Sequence, residues 1–400
     1  MDVNRIREDF PSLQQKLDGK PIVYMDSACM SLRPRQVIAA MNEYYEKYPG
    51  CAGRSSHKFA EKVTEEYSKA RTNIAKFIGA KADEIVFTRN TTEGLNLVFN
   101  TLLKKDDVVL TTDREHNSNL VPLQILSKKI GIIYKILLSK NDMTFDIDNF
   151  QNIMNKDVKL VSVVHSSNLD GYTLPVKDII KISHDFGALV MLDGAQSVPH
   201  KDIDVKKMDV DFLAFSGHKM CGPSGTGVLY GKYHLLEELQ PFMVGGDTVA
   251  ISSYDSHVLL KPPEKFEAGL QNYAGAIGLA KAAEYIDKIG RSNIEGHEIA
   301  LNEFITEEIK NMPGMNIIGP GVQERGGIIS FNINGIGHHD IAIMLDKMAN
   351  IMVRSGQHCV HSWFNAHKID GSVRASLYLY NTMEDAKVFI DNLNNIIKLR

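Results

Sequence analysis

Residues 188–219 read ALVMLDGAQSVPHKDIDVKKMDVDFLAFSGHK, and they contain two short apolar runs. The runs ALVMLD (188–193) and FLAFS (212–216) are typical of strands that are buried on both faces of a parallel sheet. An acid, Asp193, closes the first run, and a cation, Lys219, follows the second. The two residues are 26 positions apart, which is one strand–helix–strand step. The spacing therefore predicts that both side chains lie at neighbouring strand ends.

The same alternation of short apolar runs and helical patterns occupies the preceding part of the chain. Further strand-like runs are EIVFT (84–88), DVVLT (107–111), GIIYKIL (131–137) and VKLVSVVH (158–165). Helical patterns follow the first two of these runs, at residues 90–103 and 118–129. Continuous apolar strands separated by helices predict an α/β fold, with a mostly parallel central sheet and helices on both faces. Ligands of such sheets bind at the carboxyl ends of the strands.

The pattern changes towards the C-terminus. Long amphipathic helices surround the runs GGIISFNI (326–333) and VRASLYLY (373–380), and a final helix closes the chain. This mixture predicts a second, smaller α+β domain. We therefore expect a large α/β domain over residues 20–285, and a small domain formed by residues 286–400 together with residues 1–19.

The composition is that of a soluble globular protein of 400 residues, of which 44% are hydrophobic. Its net charge of −4 argues against nucleic acid as the main ligand, because phosphate binding favours a basic surface. No apolar run approaches the roughly 18 residues of a membrane span, and MDVNRIREDF at the N-terminus lacks a signal-peptide core. Four cysteines are too few for a disulfide scaffold. We expect a cytoplasmic protein with no membrane or nucleic-acid partner.

A phosphate-binding site is predicted at NTTEG (90–94), which follows a strand-like run and opens a helix. Thr91 and Thr92 offer hydroxyl groups beside free backbone N–H groups at the positive end of a helix, where anions bind. Taken by itself, the stretch is better explained as a helix-capping box. Ser216 and His218, which flank the lysine, are candidates for further donors to the same phosphate.

The remaining polar residues at strand ends suggest a flat, charged ligand. Asp193 is either a helix N-cap or the acid that holds a protonated pyridine nitrogen, the usual partner of a pyridoxal-phosphate (PLP) ring. Lys219, one strand later, favours the cofactor interpretation. His116 is a candidate for stacking on the ring or relaying a proton, although a core or surface histidine is the alternative. Asn168 and Gln196 are candidates for contacts to the ring hydroxyl region.

These residues resemble a known family. The chain is similar to fold-type I PLP-dependent transferases of the class V aminotransferase group, and within it to the group II cysteine desulfurases of the SufS and selenocysteine lyase type. The matching stretches are collinear over nearly the whole chain: YMDSA (24–28), TTEGLNLV (91–98), EHNSNLVP (115–122), SSNLDG (166–171), DGAQSVPH (193–200), DFLAFSGHKMCGPSGTGVLYG (211–231), FEAG (266–269), RSGQHC (354–359) and RASLYLYNT (374–382).

The resemblance implies roles for the strand-end residues. Lys219 is expected to form the Schiff base with the cofactor, Asp193 to hold the pyridinium and His116 to stack on the ring. Gln196 is expected to contact the ring oxygen. The residues expected to hold the phosphate are Thr92, Ser216 and His218, with Thr91 as a further candidate.

A second chemistry is suggested by Cys359, which follows Arg354 by five residues in the loop RSGQHC. A free cysteine is often a small buried hydrophobe, but the neighbouring Arg354 and His358 favour the thiolate, which is the nucleophilic form. In the resembled family this cysteine attacks the sulfur of the substrate cysteine and becomes a persulfide. The resemblance also implies that Arg374 grips the substrate carboxylate, with Asn168 and Arg354 as further substrate-binding candidates.

The chain departs from the family pattern at several positions. Leu270 stands where a threonine usually reaches the phosphate of the partner subunit. Asp247, in GGD, replaces a third glycine of a Gly-rich turn. Cys221 replaces an aromatic residue beside the lysine. These departures leave open how the phosphate is bound across a dimer.

Two further cysteines, Cys29 and Cys51, lie in segments that approach the active site in the resembled family, one of them from the partner subunit. We consider that Cys29, Cys51 and Cys359 gather in one pocket to relay a persulfide, form a disulfide, or hold a metal or iron–sulfur cluster. The simpler interpretation is that the two additional thiols are small buried residues and that the protein binds no metal, because these cysteines lack the spacing of a ligand motif.

The sequence thus predicts a homodimeric, PLP-dependent cysteine desulfurase. It would convert L-cysteine to L-alanine and pass a persulfide from Cys359 to an acceptor, such as a SufE- or SufU-like carrier or an iron–sulfur scaffold, for iron–sulfur cluster, thio-cofactor or tRNA synthesis. One alternative is a selenocysteine lyase, or another class V lyase or epimerase. A second alternative is a non-catalytic or cluster-binding scaffold of the same fold, but such a protein would have no use for Lys219.

Overall fold

The structure is a computed structural model that describes residues 1–399. The described residues form seventeen β-strands: β1 (Lys16–Leu17), β2 (Lys20–Pro21), β3 (Val23–Tyr24), β4 (Ile85–Thr88), β5 (Val108–Thr112), β6 (Ile133–Leu137), β7 (Val158–Val164), β8 (Leu189–Asp193), β9 (Phe212–Ser216), β10 (Gly227–Gly231), β11 (Val249–Ser252), β12 (His257–Leu259), β13 (Met315–Ile318), β14 (Ile328–Ile333), β15 (Ile351–Met352), β16 (Arg354–Gly356) and β17 (Ser372–Ser376).

The same residues form fourteen α-helices: α1 (Val3–Glu8), α2 (Arg35–Lys47), α3 (Lys58–Phe77), α4 (Thr91–Leu102), α5 (Asn117–Ile130), α6 (Ile147–Ile153), α7 (Val176–Asp185), α8 (Val205–Met208), α9 (Tyr233–Glu238), α10 (Tyr273–Ile289), α11 (Arg291–Ile309), α12 (His338–Ala349), α13 (His361–Ala366) and α14 (Met383–Lys398). Within residues 1–399, every helix is too short or too polar to cross a membrane.

The central sheet has seven strands in the order β4-β10-β9-β8-β7-β5-β6. The pairs from β9 through β8, β7 and β5 to β6 are parallel, whereas β10 is antiparallel to both of its neighbours. The prediction of a mostly parallel α/β sheet is therefore confirmed. The strand β10 was not among the predicted runs. It pairs with β9 as a hairpin, which the strand–helix–strand pattern does not describe.

Helices cover both faces of this sheet, as the continuous apolar strands predict. Along β8, Val190 and Leu192 pack into one apolar core, together with residues of α3, α7 and α10. Met191 points to the opposite face and packs into a second core with residues of α4 and α5. Successive side chains of a strand alternate between the faces of a sheet, so a strand covered on both sides has no polar face.

A smaller antiparallel sheet of four strands, β13-β14-β17-β16, is formed by the C-terminal part of the chain. Its core includes residues of α11, α12 and α14 and also Val23 and Met25. The strand β3 pairs with β15, so the N-terminal segment is tied to this part of the molecule. The domain boundary that we placed at residue 285 falls within α10.

The predicted site residues Asp193 and Lys219 lie at the carboxyl ends of β8 and β9, two interior strands of the central sheet. Asp193, at the end of β8, is in register with Ala214 of β9, and Lys219 follows the end of β9 by three residues. The helix α4 approaches the strand β9 closely at Gly94. A Cβ atom at that position would lie 2.9 Å from the Cβ of Ala214, so only glycine allows this packing.

Candidate active site

The predicted site residues line one cavity of about 220 Å³ at the carboxyl ends of the strands. This cavity lies where ligands of open α/β sheets bind. Its lining includes Cys29, Thr91, Thr92, His116, Asn168, Asp193, Gln196, Ser216, His218, Lys219, Arg354, Cys359 and Arg374. Among the sequence-derived candidates only Cys51 is absent from this lining.

The cavity lining contains a buried acid, Asp193, and a buried base, Lys219. Asp193 is buried, and its Oδ1 accepts a hydrogen bond of 3.0 Å from the N–H of Ala195. Burial raises the pKa of Asp193, and the opposing charge of Lys219 offsets part of this rise. Burial likewise lowers the pKa of Lys219, an effect that Asp193 partly offsets. The lysine therefore has a larger share of free amine than an exposed lysine at the same pH.

The N-terminus of α4 forms one wall of the cavity. Asn90 caps this helix by accepting a hydrogen bond from the N–H of Glu93. Thr91 donates its N–H to Ser216 Oγ at 2.9 Å, and the hydroxyls of the same two residues are 2.7 Å apart. Thr92 Oγ1 lies 2.7 Å from Ser118 Oγ. Hydroxyl groups therefore converge at a positive helix terminus, an arrangement that binds phosphate.

His116 occupies the N-cap position of α5. Its Nδ1 accepts a hydrogen bond of 3.0 Å from the N–H of Ser118, which places the ring proton on Nε2. Burial, followed by the charge of Lys219, lowers the pKa of His116 to about 3. The ring is therefore neutral and available for stacking. His218 is also neutral, because burial lowers its pKa to about 4.

Sequence reasoning did not single out Glu115, which anchors the strand ends beneath His116. Its carboxylate accepts hydrogen bonds from Thr112 Oγ1 at 2.5 Å, Asn119 Nδ2 at 2.6 Å and the N–H of Val164 at 3.1 Å. Burial raises the pKa of Glu115 to about 7. The residue ties β5 to β7 and so fixes the backbone of its neighbour His116. The sequence signal that could have identified Glu115 is its position just after the apolar run DVVLT (107–111).

Arg374 is positioned to bind an anion. Its side chain is only 1% exposed, and Nη1 donates to the backbone oxygen of Asn168 at 3.0 Å. Nη2 lies 3.5 Å from Asp26 Oδ1, and Nε has no hydrogen-bond partner in the described structure. Asn168 Nδ2 is itself bound to the backbone oxygen of His358 at 2.7 Å. Asp26 was not predicted, although it lies in the matching stretch YMDSA.

Cys359 lies in a strained loop that lines the cavity. Its backbone has a φ of +61°, and His358 before it has a φ of +50°, a region that non-glycine residues rarely adopt. Arg354 Nη2 lies 3.8 Å from Cys359 Sγ. Burial lowers the pKa of His358 to about 2, and its Nε2 is paired with Ser372 Oγ. The expectation that His358 contributes positive charge is therefore wrong, and Arg354 is the cation beside this thiol.

The four cysteines occupy different environments. Arg354 Nη1 lies 3.0 Å from Cys29 Sγ, so this thiol shares the guanidinium with Cys359. Cys51 lies outside the cavity, and Cys221 is fully buried with its pKa raised to about 12 by burial. Within residues 1–399, no group of three or more His, Cys, Asp and Glu side chains is arranged to hold a metal ion.

The positions that depart from the family pattern lie away from the cavity lining. Leu270 is 65% exposed. Asp247 has a φ of +66° and forms an ion pair with Arg54. The residue that replaces glycine therefore also adopts a glycine-like backbone conformation and has acquired a cationic partner.

The cavity fits a phosphorylated pyridine ring. Gln196 Oε1 and Arg374 Nε are buried polar atoms that lack a partner in the described structure, and both residues line the cavity. Buried polar atoms without partners are rare in folded proteins, and these two lie where a bound ligand can supply the missing partner. Together with the α4 terminus for a phosphate and Asp193 for a ring nitrogen, the lining provides a partner for each polar group of PLP.

The comparison with protein families agrees with this chemistry. A family model described as "Aminotransferase class-V" matches residues 23–389. Relatives include a probable cysteine desulfurase of Streptomyces coelicolor, which is 40% identical over 99% of this chain and 97% of its own length. A cysteine desulfurase of Haloferax volcanii is 36% identical over 98% of this chain and 96% of its own length.

Solved structures of the same name have the same fold. The apo structure of a cysteine desulfurase from Thermococcus onnurineus superposes with a TM-score of 0.95 at 38% identity, covering 99% of this chain and 98% of that one. The cysteine desulfurase CsdA of Escherichia coli, solved as an S-sulfonic acid form, has a TM-score of 0.92 at 31% identity, covering 100% of this chain and 99% of that one.

Proposed function

Because the chain belongs to the class V aminotransferase family, we propose that its cavity is the active site of a PLP-dependent cysteine desulfurase. The reaction converts L-cysteine to L-alanine and leaves the sulfur as a persulfide on Cys359. The observation that carries this proposal is the presence of a buried lysine, its acidic partner and an arginine-bound thiol in the lining of one cavity.

The lining residues hold and orient the cofactor and the substrate. Thr91, Thr92 and Ser216 would hold the phosphate at the α4 terminus, and Asp193 would pair with the ring nitrogen. PLP, attached through Lys219, supplies an electron sink for the negative charge that develops on the α-carbon of the substrate. The residues supporting this arrangement line the cavity together.

Proton transfer is assigned to Lys219. The amino group of the substrate would displace Lys219 from the cofactor, and the lowered pKa of the released lysine would leave a larger share of free amine to take the proton from the α-carbon of the substrate. Arg374 binds the substrate carboxylate through its unpartnered Nε and the neighbouring Nη2. The neutral ring of His116, which carries its proton on Nε2, would stack on the cofactor.

Sulfur transfer is assigned to Cys359. Its thiolate attacks the sulfur of the bound cysteine, forming an S–S bond while the C–S bond of the substrate breaks. The electron pair of the broken bond stays with the carbon fragment, which is protonated and leaves as alanine. Arg354 stabilises negative charge on the attacking sulfur.

We place the chain in the group II subclass and expect a homodimer that delivers sulfur to an acceptor protein. About a dozen residues connect Cys359 to β17, which supports a short, ordered catalytic loop. The dimer is supported by exposed apolar side chains around the β11–β12 hairpin and the nearby loops: Phe242, Met243, Val244, Ile251, Val258 and Leu270. Exposed apolar patches of this kind mark association surfaces. Light scattering with size-exclusion chromatography tests this part.

The experiment that tests the function compares two substrates. Purified protein reconstituted with PLP is given L-cysteine or L-selenocysteine without oxygen, and alanine is measured for the wild type and for Cys359→Ala. A cysteine desulfurase forms alanine from cysteine, and the variant loses this activity. If alanine forms from selenocysteine alone, or if the variant matches the wild type on cysteine, the chain is a selenocysteine lyase or another class V lyase.

A further inference from the structure

We propose that Cys29 is a second sulfur-carrying thiol, which receives the terminal sulfur atom from the persulfide of Cys359 before it leaves the protein. The inference rests on the proposed function, because the persulfide on Cys359 is its starting point. Cys29 takes no part in the sulfur transfer to Cys359 that is proposed above, so this would be an additional step.

The two thiols share one cation. The guanidinium of Arg354 directs Nη1 at Cys29 Sγ, at 3.0 Å, and Nη2 at Cys359 Sγ, at 3.8 Å. The two terminal nitrogens belong to one planar group with fixed geometry. Both sulfurs are therefore held on the same side of the cavity, although the two cysteines are 330 positions apart in the chain.

The turn that carries Cys29 is rigidly attached to the active site. Ala28 donates its N–H to Ser376 Oγ at 3.0 Å, and its carbonyl oxygen accepts a hydrogen bond of 2.7 Å from Gln196 Nε2. Ser27 Oγ lies 2.7 Å from Tyr380 OH, and Cys29 itself donates its N–H to the oxygen of Asp26 at 3.1 Å. A thiol on such an anchored turn is held in the cavity by its backbone.

Cys29 is also partly accessible to an acceptor outside the cavity. Its side chain is partly exposed, and the next residue, Met30, is 40% exposed. Cys51 and Cys221 offer no comparable step, because neither lines the cavity and Cys221 is fully buried. Among the described cysteines, Cys29 alone joins Cys359 in the lining.

The transfer is balanced without an oxidant or a reductant. The thiolate of Cys29 attacks the terminal sulfur of the Cys359 persulfide, and a new S–S bond forms on Cys29 while the S–S bond to Cys359 breaks. Cys359 leaves as a thiolate. Arg354 then stabilises the negative charge on Cys359, as it first stabilised the charge on Cys29. One sulfane sulfur moves, and the number of thiolates is unchanged.

A measurable consequence is the capacity for sulfur. Once Cys29 has taken the first sulfur, Cys359 is free to attack a second substrate molecule. In the absence of an acceptor, each active site should release about two molecules of alanine in the initial burst, one for each thiol that stores sulfur. Loss of Cys29 should halve this burst, whereas a structural defect would slow it without changing the stoichiometry.

The test uses PLP-loaded protein without oxygen or added thiols, mixed with a small excess of L-cysteine and quenched within the burst. Alanine is counted, and persulfides are located by alkylation and peptide mass spectrometry. The wild type should carry persulfide on both Cys29 and Cys359. Cys29→Ala and Cys29→Ser should carry it on Cys359 alone with a halved burst, and Cys51→Ala, the matched control, should match the wild type.

Several outcomes overturn the relay. They are persulfide confined to Cys359 in the wild type, an unchanged burst in both Cys29 variants, a Cys29–Cys359 disulfide formed with release of sulfide, and labelling of Cys29 in Cys359→Ala. A wild-type protein that forms no alanine at all refutes the proposed function itself. That result differs from failure of the relay alone, in which alanine and the Cys359 persulfide still form.

Discussion

At the scale of single residues, the guanidinium of Arg354 contacts both thiols of the cavity, Cys29 and Cys359. Burial lowers its pKa, but Cys29, Cys359 and Asp26 raise it, and the net direction is upward, so the group stays charged. A fixed positive charge between two sulfurs stabilises whichever of them carries the negative charge. We therefore propose Arg354 as a positioning residue for sulfur chemistry and Arg374 as the residue that binds the substrate carboxylate.

We predict that Arg354→Gln slows the alkylation of Cys29 and Cys359 together by about tenfold or more at neutral pH. The reason is that a charge-assisted hydrogen bond contributes ~1.5–3 kcal/mol. Arg354→Lys should restore the alkylation rate of only one of the two thiols, because an ammonium group cannot contact both. Iodoacetamide labelling followed by peptide mass spectrometry measures each rate, and Cys51 provides an internal control. Unchanged rates at both thiols would show that the contacts have no chemical effect.

Lys219 is the second residue whose change gives a defined result. Lys219→Ala should lower alanine formation by ~10²–10⁴-fold, the usual contribution of a positioned acid–base group. The visible absorbance of the lysine–cofactor linkage should also vanish. The exposed Lys207, which pairs with Asp204 on the surface, provides the control variant Lys207→Ala. Retained activity in Lys219→Ala would contradict the assigned role.

At the scale of secondary-structure elements, the position of α4 relative to β9 sets the cavity wall that we propose binds phosphate. Gly94 of α4 packs against Ala214 of β9 with no room for a side chain. The N-terminal residues Thr91 and Thr92 begin the same helix. Any displacement of α4 from the sheet therefore moves the hydroxyl groups that face the cavity.

We predict that Gly94→Ala costs ~1–3 kcal/mol of stability, the usual cost of overpacking a core, and weakens the binding of PLP. Its methyl group would lie 2.9 Å from the Cβ of Ala214. The double variant Gly94→Ala/Ala214→Gly removes that contact and should recover much of the affinity. Spectroscopic titration with PLP measures both effects. If the single variant binds PLP as the wild type does, helix placement does not control the site.

The sequence was most informative where an element is buried on both faces. The runs at residues 158–165, 188–193 and 212–216 correspond closely to β7, β8 and β9, because a doubly covered strand is apolar throughout. The run 373–380 forms β17 only as far as Ser376. Beyond it, the side chains of Tyr378 and Tyr380 are buried outside a strand, and composition alone does not distinguish the two cases.

The sequence could not predict which residues from distant segments contact one another in the cavity. Lys219 and Asp193 were predictable as neighbours, because their spacing is one strand–helix–strand step. The shared contact of Arg354 with Cys29 depends on the pairing of β3 with β15 and on the bridge between Asp26 and Ser376. No local pattern encodes those pairings, so gathering of the thiols was a hypothesis until the fold was known.

At the scale of the whole molecule, the N-terminal segment links the two main cores beside the cavity. Ile22 packs into the core of the large sheet, whereas Val23 and Met25 pack into the core of the small sheet. Arg7 pairs with Asp385 at 2.7 Å, which joins α1 to α14. The turn with Cys29 follows this linked segment directly, so its position depends on both cores.

The folded molecule also buries several neutral histidines. Burial lowers the pKa of His116 and His165 to about 3 and that of His358 to about 2. The unfolded chain takes up these protons near pH ~6.5, whereas the folded protein does so only at much lower pH. Their contribution to stability is therefore complete above pH ~6.5 and is lost as the pH falls below it.

We predict that each of these histidines lowers the free energy of unfolding by ~1.4 kcal/mol per pH unit below pH ~6.5. The variant His165→Phe should make the slope shallower by about that amount, because phenylalanine takes up no proton. Exposed His257 serves as the control through His257→Gln. Urea unfolding between pH 5 and 8 measures the slopes, and equal slopes in wild type and His165→Phe would contradict the burial argument.

If the proposed function is correct, the sulfur of the substrate reaches Cys359, and isotope tracing can locate it there. The PLP-loaded protein is allowed a single turnover with isotopically labelled L-cysteine, alkylated and digested, and the label is located by mass spectrometry. We predict labelled sulfur on the Cys359 peptide in the Cys29→Ala variant, with one alanine formed per label. A protein that binds PLP and forms alanine while Cys359 stays unlabelled would contradict it.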